Sequence, residues 1–456
     1  MAAMIMPTKA VSSATRATPA SRNVCQNPET TRRVAPADGY RADLRSSLAV
    51  VTAGQRVSVA DLDSGDLWPL SVPDATGACL DPGGAKVAYV RERALRLVDV
   101  DGTNDAVLVE PEGPDVSIGL AEFAAWTAVE GGRGFWWAPD GQRLLALRVD
   151  ESPLPVLHLA DPAQPDVEPR RCRYAAVGAA GADVTLQLVG LDGTAREVQW
   201  DRDAFEYLVR VEWQHGNPLL AVQSRDQRRV QLLEVAPQTG ATSVVREVTD
   251  RAWVTVPAGV PARTAAGEVV WVERDHDTDT YRLLVDGAYV TPPGLQVRHV
   301  TASDDTVTFV AQDDPTEMHV YAYDGTLRRL SAGSGVHDGQ RRAGTTVLES
   351  RTWDGQRTSV DGRALAAEAE APKLELRVEL VRAGAREQRT AVFRPSWHEP
   401  GAGQLPVLIN PYAGPALQVV LACRSWHYLL SQWFAEHGFV VLTPDGRGTP
   451  GRGPLF

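Results

Sequence analysis

The sequence predicts a mainly β fold: an incomplete β-propeller of several four-stranded blades, followed by the first strands and helix of a parallel α/β sheet. Two observations predict it. Between about residues 46 and 365, short apolar strands alternate with turns and no helical segment intervenes. After about residue 366 the pattern changes to strand, helix and strand at crossover spacing. We therefore expect a disordered leader over residues 1–45, a propeller over 46–365 and the start of a second domain over 366–456.

The leader is defined by its composition. Residues 1–30 are rich in Ala, Ser, Thr and Arg, and their first acidic residue is Glu29. They contain no continuous apolar segment, so the pattern is not that of a secretory signal, and an organelle transit peptide is the alternative to a disordered leader. The cysteines lack C-x-x-C spacing, which favours a reducing compartment, and we expect a cytoplasmic protein. The four are Cys25, Cys79, Cys172 and Cys423.

The propeller prediction rests on a repeated hairpin unit. Each unit has an apolar strand, a polar break and a second, alternating strand, and most units end in an Asx-Gly or similar turn. A repeat of hairpin pairs every ~40–60 residues is typical of propeller blades, which bury their faces against neighbouring blades. A β-sandwich is the alternative, but this length would need two or three of them. The Asp-Gly pairs begin at Asp101, Asp140, Asp192, Asp286, Asp324, Asp338, Asp354 and Asp361.

Two stretches interrupt the regular pattern. Residues 112–134 are not strand-like and lie between two blade units, and residues 158–174 are rich in proline. Insertions on one face of a propeller commonly line its functional surface, so we expect functional loops here.

The region after residue 366 predicts four elements. A hairpin turns around Gly384, and an apolar strand then ends in the turn YAGP. A helix follows, with Gly438 at its C-terminal cap position. The last strand, FVVLTP, is expected to be an exposed apolar edge and therefore an aggregation site. One predicted helical face contains Trp426, Leu429, Leu430, Trp433 and Phe434.

Composition and missing motifs exclude several classes of function. The formal net charge of -12 argues against nucleic acid or an anionic membrane as the partner. No apolar run reaches the roughly 18 residues that a transmembrane helix needs. The nine histidines have neither H-E-x-x-H nor H-x-x-E-H spacing, so we expect no metal. No glycine-rich stretch has the following helix and lysine of a nucleotide site, and we expect no cofactor.

Four stretches resemble one enzyme family when taken in this order: AEFAAWTAVEGGRGFWWAPDG, RVDESPLP, LPVLINPYAGP and VVLTPDGRGTPGRG. They resemble the prolyl oligopeptidase family of serine peptidases, and in particular its dipeptidyl peptidase IV branch. The resemblance runs from about residue 46 to the end of the sequence. It implies a propeller followed by an α/β-hydrolase domain, of which only the beginning is present, so we expect a truncated sequence.

The resemblance implies a serine exopeptidase that hydrolyses short peptides by Ser-His-Asp acyl transfer. The family's nucleophile stands in a G-x-S-x-G elbow, and this pattern does not occur in the sequence. Ser334 comes nearest, but Ala332 and Val336 stand where the glycines belong. The catalytic Ser, Asp and His would all follow Phe456, and we expect this chain to be inactive alone. The alternatives are a non-enzymatic propeller module that binds peptides or a protein, and the product of a decayed gene.

One catalytic accessory of the family is present. The tyrosine of the Y-[AG]-G-P turn, here Tyr412, donates its hydroxyl to the oxyanion in the family, and such a donor is worth ~3 kcal/mol of transition-state stabilisation. This role is conditional on a nucleophile being supplied. The alternative is a tyrosine that packs its ring and leaves its hydroxyl in solvent. We expect Asp445 and Arg447 to fix the turn after the last strand, and Asp445 is not the triad acid.

The family's substrate-binding acids are not intact. Dipeptidyl peptidases bind the N-terminal ammonium of the substrate with a Glu-Glu pair a few residues before the W-W. That pair falls on residues 126–128, which contain no acid. Glu122 and Glu130 flank the gap, and they bind substrate only if the loop is aligned differently; otherwise they are solvated charges. For a completed enzyme the resemblance implies peptide substrates with a free N-terminus, and a homodimer in the full-length family form.

Overall fold

The computed structural model describes residues 39–42, 46–54, 56–122, 133–366, 372–399, 401–412 and 417–456. The chain forms two compact units, Met1–Val254 and Thr255–Phe456. Each unit has its own sheets and its own apolar clusters. No helix in the described ranges is long and apolar enough to cross a membrane.

The first unit contains four antiparallel sheets and one separate hairpin. The first sheet contains β1 (Gly39–Ala42), β2 (Leu48–Ala53), β3 (Arg56–Asp61) and β4 (Leu67–Leu70). The second contains β5 (Thr76–Leu80), β6 (Lys86–Arg91), β7 (Ala94–Asp99) and β8 (Ala106–Val109). The third region contains β9 (Val116–Ile118), β10 (Phe135–Trp137), β11 (Arg143–Asp150), the hairpin β12 (Val156–Leu159) and β13 (Arg170–Arg173), β14 (Asp183–Gly190) and β15 (Ala195–Glu197). The fourth sheet contains β16 (Tyr207–Glu212), β17 (Leu219–Gln223), β18 (Arg229–Val235) and β19 (Thr242–Thr249).

The second unit contains three antiparallel sheets and one mixed sheet. The fifth sheet contains β20 (Ala262–Arg263), β21 (Val269–Asp275), β22 (Thr280–Val285) and β23 (Ala288–Tyr289). The sixth contains β24 (Gln296–Ser303), β25 (Val307–Gln312), β26 (His319–Tyr323) and β27 (Leu327–Arg329). The seventh contains β28 (Val336–Arg342), β29 (Thr345–Thr352), β30 (Gly355–Val360) and β31 (Arg363–Ala364). The mixed sheet contains β32 (Val378–Ala383), β33 (Gln388–Phe393), β34 (Val407–Ile409) and β35 (Val440–Pro444), with helix α1 (Trp426–Glu436) between the last two strands.

The seven antiparallel sheets of the described residues are the blades of the predicted propeller. Six are four-stranded meanders in chain order, and the third adds β9, which pairs with β11. Facing sheets pack through apolar side chains, as where Leu145 and Leu186 of the third sheet meet Leu220 and Leu233 of the fourth. The prediction of a propeller followed by the start of an α/β sheet is therefore confirmed, while the boundaries at residues 46 and 366 stay predictions.

The Asp-Gly pairs do not all form hairpin turns. Asp286-Gly287 and Asp361-Gly362 each link two strands with two residues, and all four have positive φ. This is the type I′ geometry that the dipeptide favours. Asp338-Gly339, by contrast, lies inside β28. There the glycine is required because a Cβ at Gly339 would overlap the carbonyl oxygen of Val347 on the paired strand.

The two predicted insertions are parts of the third sheet region. Residues 158–174 fall largely on the hairpin β12–β13, whose base is held by an ion pair of 2.6 Å between Arg173 and Asp115. Within residues 112–134, Val116–Ile118 forms β9. Residues 123–132 lie outside the described part of the chain.

The mixed sheet has the strand order β32-β33-β35-β34. β35 pairs antiparallel with β33 and parallel with β34, so it lies in the interior of the sheet. The expectation that FVVLTP forms an exposed edge was wrong, because the crossover through α1 inserts β35 between two earlier strands. The edge strands are β32 and β34, and the β34 side chains Val407 and Ile409 are 57% and 62% exposed.

Helix α1 packs with a different face from the one predicted. Tyr428, Ser431, Gln432 and Ala435 are buried, whereas Trp426, Leu430 and Trp433 are exposed. The polar residues are buried because backbone groups satisfy them: the Gln432 side chain accepts from the Arg377 amide and donates to the Arg394 carbonyl. The predicted end of the helix is confirmed, since Gly438 has a positive φ and its N–H donates to the Ala435 carbonyl.

Two buried histidines stack between the sixth and seventh sheets. The rings of His319 on β26 and His337 on β28 are 5.2 Å apart at 24°. His319 contacts Glu317 at 3.0 Å and Ser331 at 3.2 Å, and Nδ1 of His337 contacts Ser350 Oγ at 2.9 Å. Both rings are buried, so a charge on either one would be poorly solvated.

Burial lowers the pKa of both His319 and His337 below the ordinary value of about 6.5. Arg329 lowers each pKa further, and Glu317 opposes the shift. As the pH falls below ~6.5, the unfolded chain therefore takes up protons that the folded chain does not. The contribution of these two neutral histidines to the free energy of unfolding is complete above pH ~6.5. It is lost as the pH falls through their lowered pKa values.

The substitution His337→Gln should make the free energy of unfolding less dependent on pH between pH 7.5 and 5. Glutamine can keep a hydrogen bond to Ser350 but does not titrate, and each unit of pKa lowering that is removed corresponds to ~1.4 kcal/mol. Urea unfolding at both pH values measures the effect. His158→Gln, on the exposed hairpin strand β12, is the control and should leave the pH dependence unchanged. An equal slope for His337→Gln and the wild type would contradict the prediction.

The substitution Ile409→Lys should reduce self-association of the protein. A lysine on the free edge of β34 opposes pairing with another chain, and Ile409 is exposed, so little packing is lost. Light scattering after size-exclusion chromatography measures the effect. Leu455→Lys, an equally exposed apolar position outside any strand, is the matched control. Equal improvement by both variants would show that general charge, and not the strand edge, controls association.

Candidate functional site

Tyr412 lies just beyond the carboxyl end of β34, beside the end of β35. A parallel β-bridge joins it to Asp445, the residue that follows β35. Its ring is partly buried and packs against the apolar cluster that contains Phe393 and Val441. Its hydroxyl makes no hydrogen bond to another described residue. In α/β sheets, ligands bind at the carboxyl ends of the parallel strands. Tyr412 lies at this edge of the mixed sheet.

Asp445 is buried, with 3% of its surface exposed, and its carboxylate binds a distant segment. The amides of Val419 and Val420, 26 and 25 positions earlier, donate to Oδ1 and Oδ2 at 3.1 Å each. The backbone N–H of Asp445 donates to the carbonyl of Arg389 at 2.9 Å. The expectation that this side chain fixes the turn after its own strand was wrong, because its carboxylate is occupied by the backbone of 419–420. Arg447 of the same turn is exposed.

The segment 417–424 is held on several sides. The Leu421 amide donates to the hydroxyl of Tyr428 at 2.9 Å. The amides of Ala422 and Arg424 donate to backbone carbonyls of the sixth and seventh sheet regions, at 2.7 and 3.0 Å. Leu421 and Cys423 pack against Val336, the first residue of β28. The segment is therefore anchored both to the mixed sheet and to the last two blades of its unit.

The hydroxyl of Tyr428 is a structural acceptor. The ring is fully buried and makes an edge contact with Phe393 at 5.1 Å and a stacked contact with Trp353 at 6.0 Å. Burial raises the pKa of the phenol, and the Leu421 amide lowers it. The phenol therefore stays neutral and keeps a lone pair for that amide throughout the physiological range.

Ser334 does not have the surroundings of a nucleophile. Its hydroxyl donates to Glu317 at 2.5 Å, and the other oxygen of Glu317 contacts His319. A serine nucleophile needs its proton to be accepted by a histidine, and here the carboxylate stands between them. The geometry agrees with the interpretation of Ser334 as a loop serine.

The first unit contains a group of carboxylates near one tyrosine. Glu122, which is partly buried, and Glu206 both raise the pKa of Tyr207; burial is the largest cause of that shift, and Arg225 opposes it. Arg225 also forms an ion pair of 2.6 Å with Glu206. Glu206 lies far from Glu122 in the sequence, and no local motif marks it.

Glu130 lies outside the described residues. In the parts of the chain that the structure describes, no group of three or more His, Cys, Asp or Glu side chains could hold a metal ion.

Comparisons with known proteins agree with the fold and the order of the motifs. The sequence model for the dipeptidyl peptidase IV (DPP IV) N-terminal region matches residues 51–341, more than half of the chain. The probable dipeptidyl-aminopeptidase B of Coccidioides posadasii (strain C735) is 24% identical over an alignment of 491 positions that covers 89% of this chain and 52% of that protein. The protein of the same name from Tuber melanosporum (strain Mel28) is 25% identical and covers 86% of this chain and 51% of its own length.

A solved structure extends the comparison to the fold. The crystal structure of Porphyromonas gingivalis dipeptidyl peptidase 4 matches with a TM-score of 0.74 and 18% identity, over 93% of this chain and 66% of that chain. The chain spans about half the length of the curated relatives it matches. With the family match over residues 51–341, the chain belongs to the dipeptidyl peptidase IV branch of the prolyl oligopeptidase family and carries that branch's N-terminal region.

Proposed function

We propose that this chain is part of a serine-type dipeptidyl peptidase that hydrolyses short peptides with a free N-terminus. The observation that carries the proposal is the position of Tyr412, at the carboxyl edge of two parallel strands and bridged to Asp445. The relatives are named dipeptidyl-aminopeptidases, which supports the reaction class. Because the sequence contains no G-x-S-x-G, the nucleophile is supplied from outside these 456 residues, and the chain alone is inactive.

In this proposal Tyr412 stabilises the tetrahedral intermediate of acyl transfer. The serine oxygen adds to the peptide carbonyl, the carbonyl oxygen becomes negative, and the phenol O–H donates a hydrogen bond to it. A donor that is fixed at a strand end needs little reorganisation when the charge develops, and one such donor is worth ~3 kcal/mol. The partial burial of the ring against the apolar cluster supports this role, because packing restricts the orientation of the hydroxyl.

Glu122 is the proposed substrate-binding acid, and Glu206 joins it. A carboxylate pair that accepts charge-assisted hydrogen bonds from an ammonium selects peptides with a free N-terminus. The support is that both carboxylates contribute to raising the pKa of Tyr207, together with the partial burial of Glu122. The role of Glu130 stays a prediction, as does a homodimer of the full-length form.

A cytoplasmic location is also part of the proposal. Its support is the scattered arrangement of the cysteines, of which Cys79, Cys172 and Cys423 are free.

A second candidate, which the repeated four-stranded sheets of the described residues support, is a propeller that binds peptides or a partner protein without hydrolysing them. The two candidates differ in the encoding gene. The peptidase requires a G-x-S-x-G elbow in the sequence that continues the reading frame, and the binding module requires a stop after Phe456.

Purified protein of residues 1–456 should not hydrolyse a fluorogenic X-Pro dipeptide substrate. It lacks the G-x-S-x-G nucleophile that serine-type acyl transfer requires. The measurement is fluorescence release with and without a serine-directed inhibitor, and a dipeptidyl peptidase of known activity serves as the positive control. Inhibitor-sensitive turnover by the chain alone would overturn the proposed inactivity.

In a longer protein that contains the nucleophile, Tyr412→Phe should lower kcat about 100-fold and leave KM nearly unchanged. The substitution removes one oxyanion donor and keeps the packed ring, which is the expected signature of an interaction made only in the transition state. Steady-state kinetics measures the effect. Trp253→Phe, an aromatic substitution at an exposed position of the first unit, is the control and should leave both constants unchanged. Wild-type kcat for Tyr412→Phe would sink the oxyanion role.

A further inference from the structure

Asp445 contacts the chain at two positions after β34. Its backbone forms a β-bridge with Tyr412, and its carboxylate accepts hydrogen bonds from the amides of Val419 and Val420. Its own N–H is bound to the Arg389 carbonyl on β33. One residue at the end of an interior strand thus connects both Tyr412 and residues 419–420 to the centre of the mixed sheet.

We propose that Asp445 is a positioning residue for Tyr412. It fixes the backbone at Tyr412 and again at Val419 and Val420, and thereby restricts the position of the phenol O–H. The inference rests on the proposed role of Tyr412 as an oxyanion donor. Asp445 itself does not touch the reacting atoms in this assignment.

The contact requires a carboxylate, not merely a polar side chain. Each of the two oxygens accepts a hydrogen bond from a different backbone N–H, and bonds to an ionised acceptor are about twice as strong as neutral ones. Asparagine has one carbonyl oxygen and an NH₂ group, and that NH₂ would face one of the two N–H donors. Asp445→Asn therefore keeps the shape of the side chain and removes at least one of the two bonds.

The raised pKa of Asp445 indicates that its carboxylate positions the backbone and contributes little to the stability of the fold. Burial raises the pKa of Asp445, although the Val419 and Val420 amides lower it. The fold therefore holds the charged form at a cost in free energy relative to water. The buried phenol of Tyr428, whose pKa Asp445 helps to raise, is neutral or negative at any pH, so it supplies no compensating positive charge.

A second anchor makes the expected effect local. Leu421 is held by Tyr428 on α1 and does not depend on Asp445. Loss of the carboxylate should therefore increase the mobility of Tyr412, Val419 and Val420, and leave Leu421 in place. Tyr428→Phe does the opposite, because it removes the acceptor of Leu421 and leaves both bonds of Asp445.

The test uses the chain of residues 1–456 and does not need activity. Amide hydrogen exchange reports on residues 417–422, and ¹⁹F NMR of protein labelled with 3-fluorotyrosine reports on Tyr412, whose resonance is identified by its loss in Tyr412→Phe. Asp445→Asn should raise exchange at Val419 and Val420 at least tenfold and shift the Tyr412 resonance, while the urea midpoint changes little. Asp305→Asn, an exposed carboxylate of the same unit, is the control and should change neither.

Two results would overturn the inference that Asp445 positions Tyr412. A Tyr412 resonance that stays in place while exchange at 419–420 rises would show that Asp445 anchors only the loop, and would overturn the inference. An equal shift of that resonance in Tyr428→Phe would overturn it as well. If Asp445→Asn does not fold, Asp445→Glu keeps the charge, moves it by one methylene, and should displace the same resonance. Failure of the oxyanion role appears separately, as an unchanged kcat for Tyr412→Phe in the longer protein.

Discussion

The burial of sheet faces is the constraint on which the rest of this structure depends. Successive side chains of a strand point to opposite faces, and the central strands are apolar on both. Every residue of β17 and of β25 is buried. A four-stranded sheet cannot cover both of its own faces, so each blade needs a neighbour, and the shared cluster of the third and fourth sheets shows how the need is met. Turns with positive φ, such as Asp286-Gly287, keep the strands in register for that packing.

The mixed sheet obeys the same constraint with different parts. Helix α1 covers the apolar cluster around Phe393 and Val441, and the backbone bonds of Gln432 allow a polar residue to be buried under it. The crossover through α1 places β35 between β33 and β34, and the ends of two parallel strands then lie side by side. Tyr412 and Asp445 meet at this edge because of the strand order, although they are far apart in the sequence.

The sequence was sufficient for features that depend on local pattern and insufficient for those that depend on packing. Blade hairpins, the family and the cap at Gly438 follow from short-range signals, and they were predicted. The face of α1 was not, because apolar periodicity alone cannot show that Gln432 has backbone partners. Nor does any local signal link Glu122 with Glu206, which lie far apart in the sequence and both raise the pKa of Tyr207.

Asp445 shows why a motif and a role can differ. In the sequence, Asp followed by Gly indicates a turn, and pairs such as Asp286-Gly287 do form tight turns in the described residues. At residue 445 the aspartate also follows an interior strand, where its side chain is shielded from water and must find partners in the protein. The backbone amides of 419–420 supply them. Burial raises the pKa of Asp445, so its charge adds little to the stability of the fold. The contribution of the carboxylate is instead to hold residues 419–420 at a fixed distance from the end of β35.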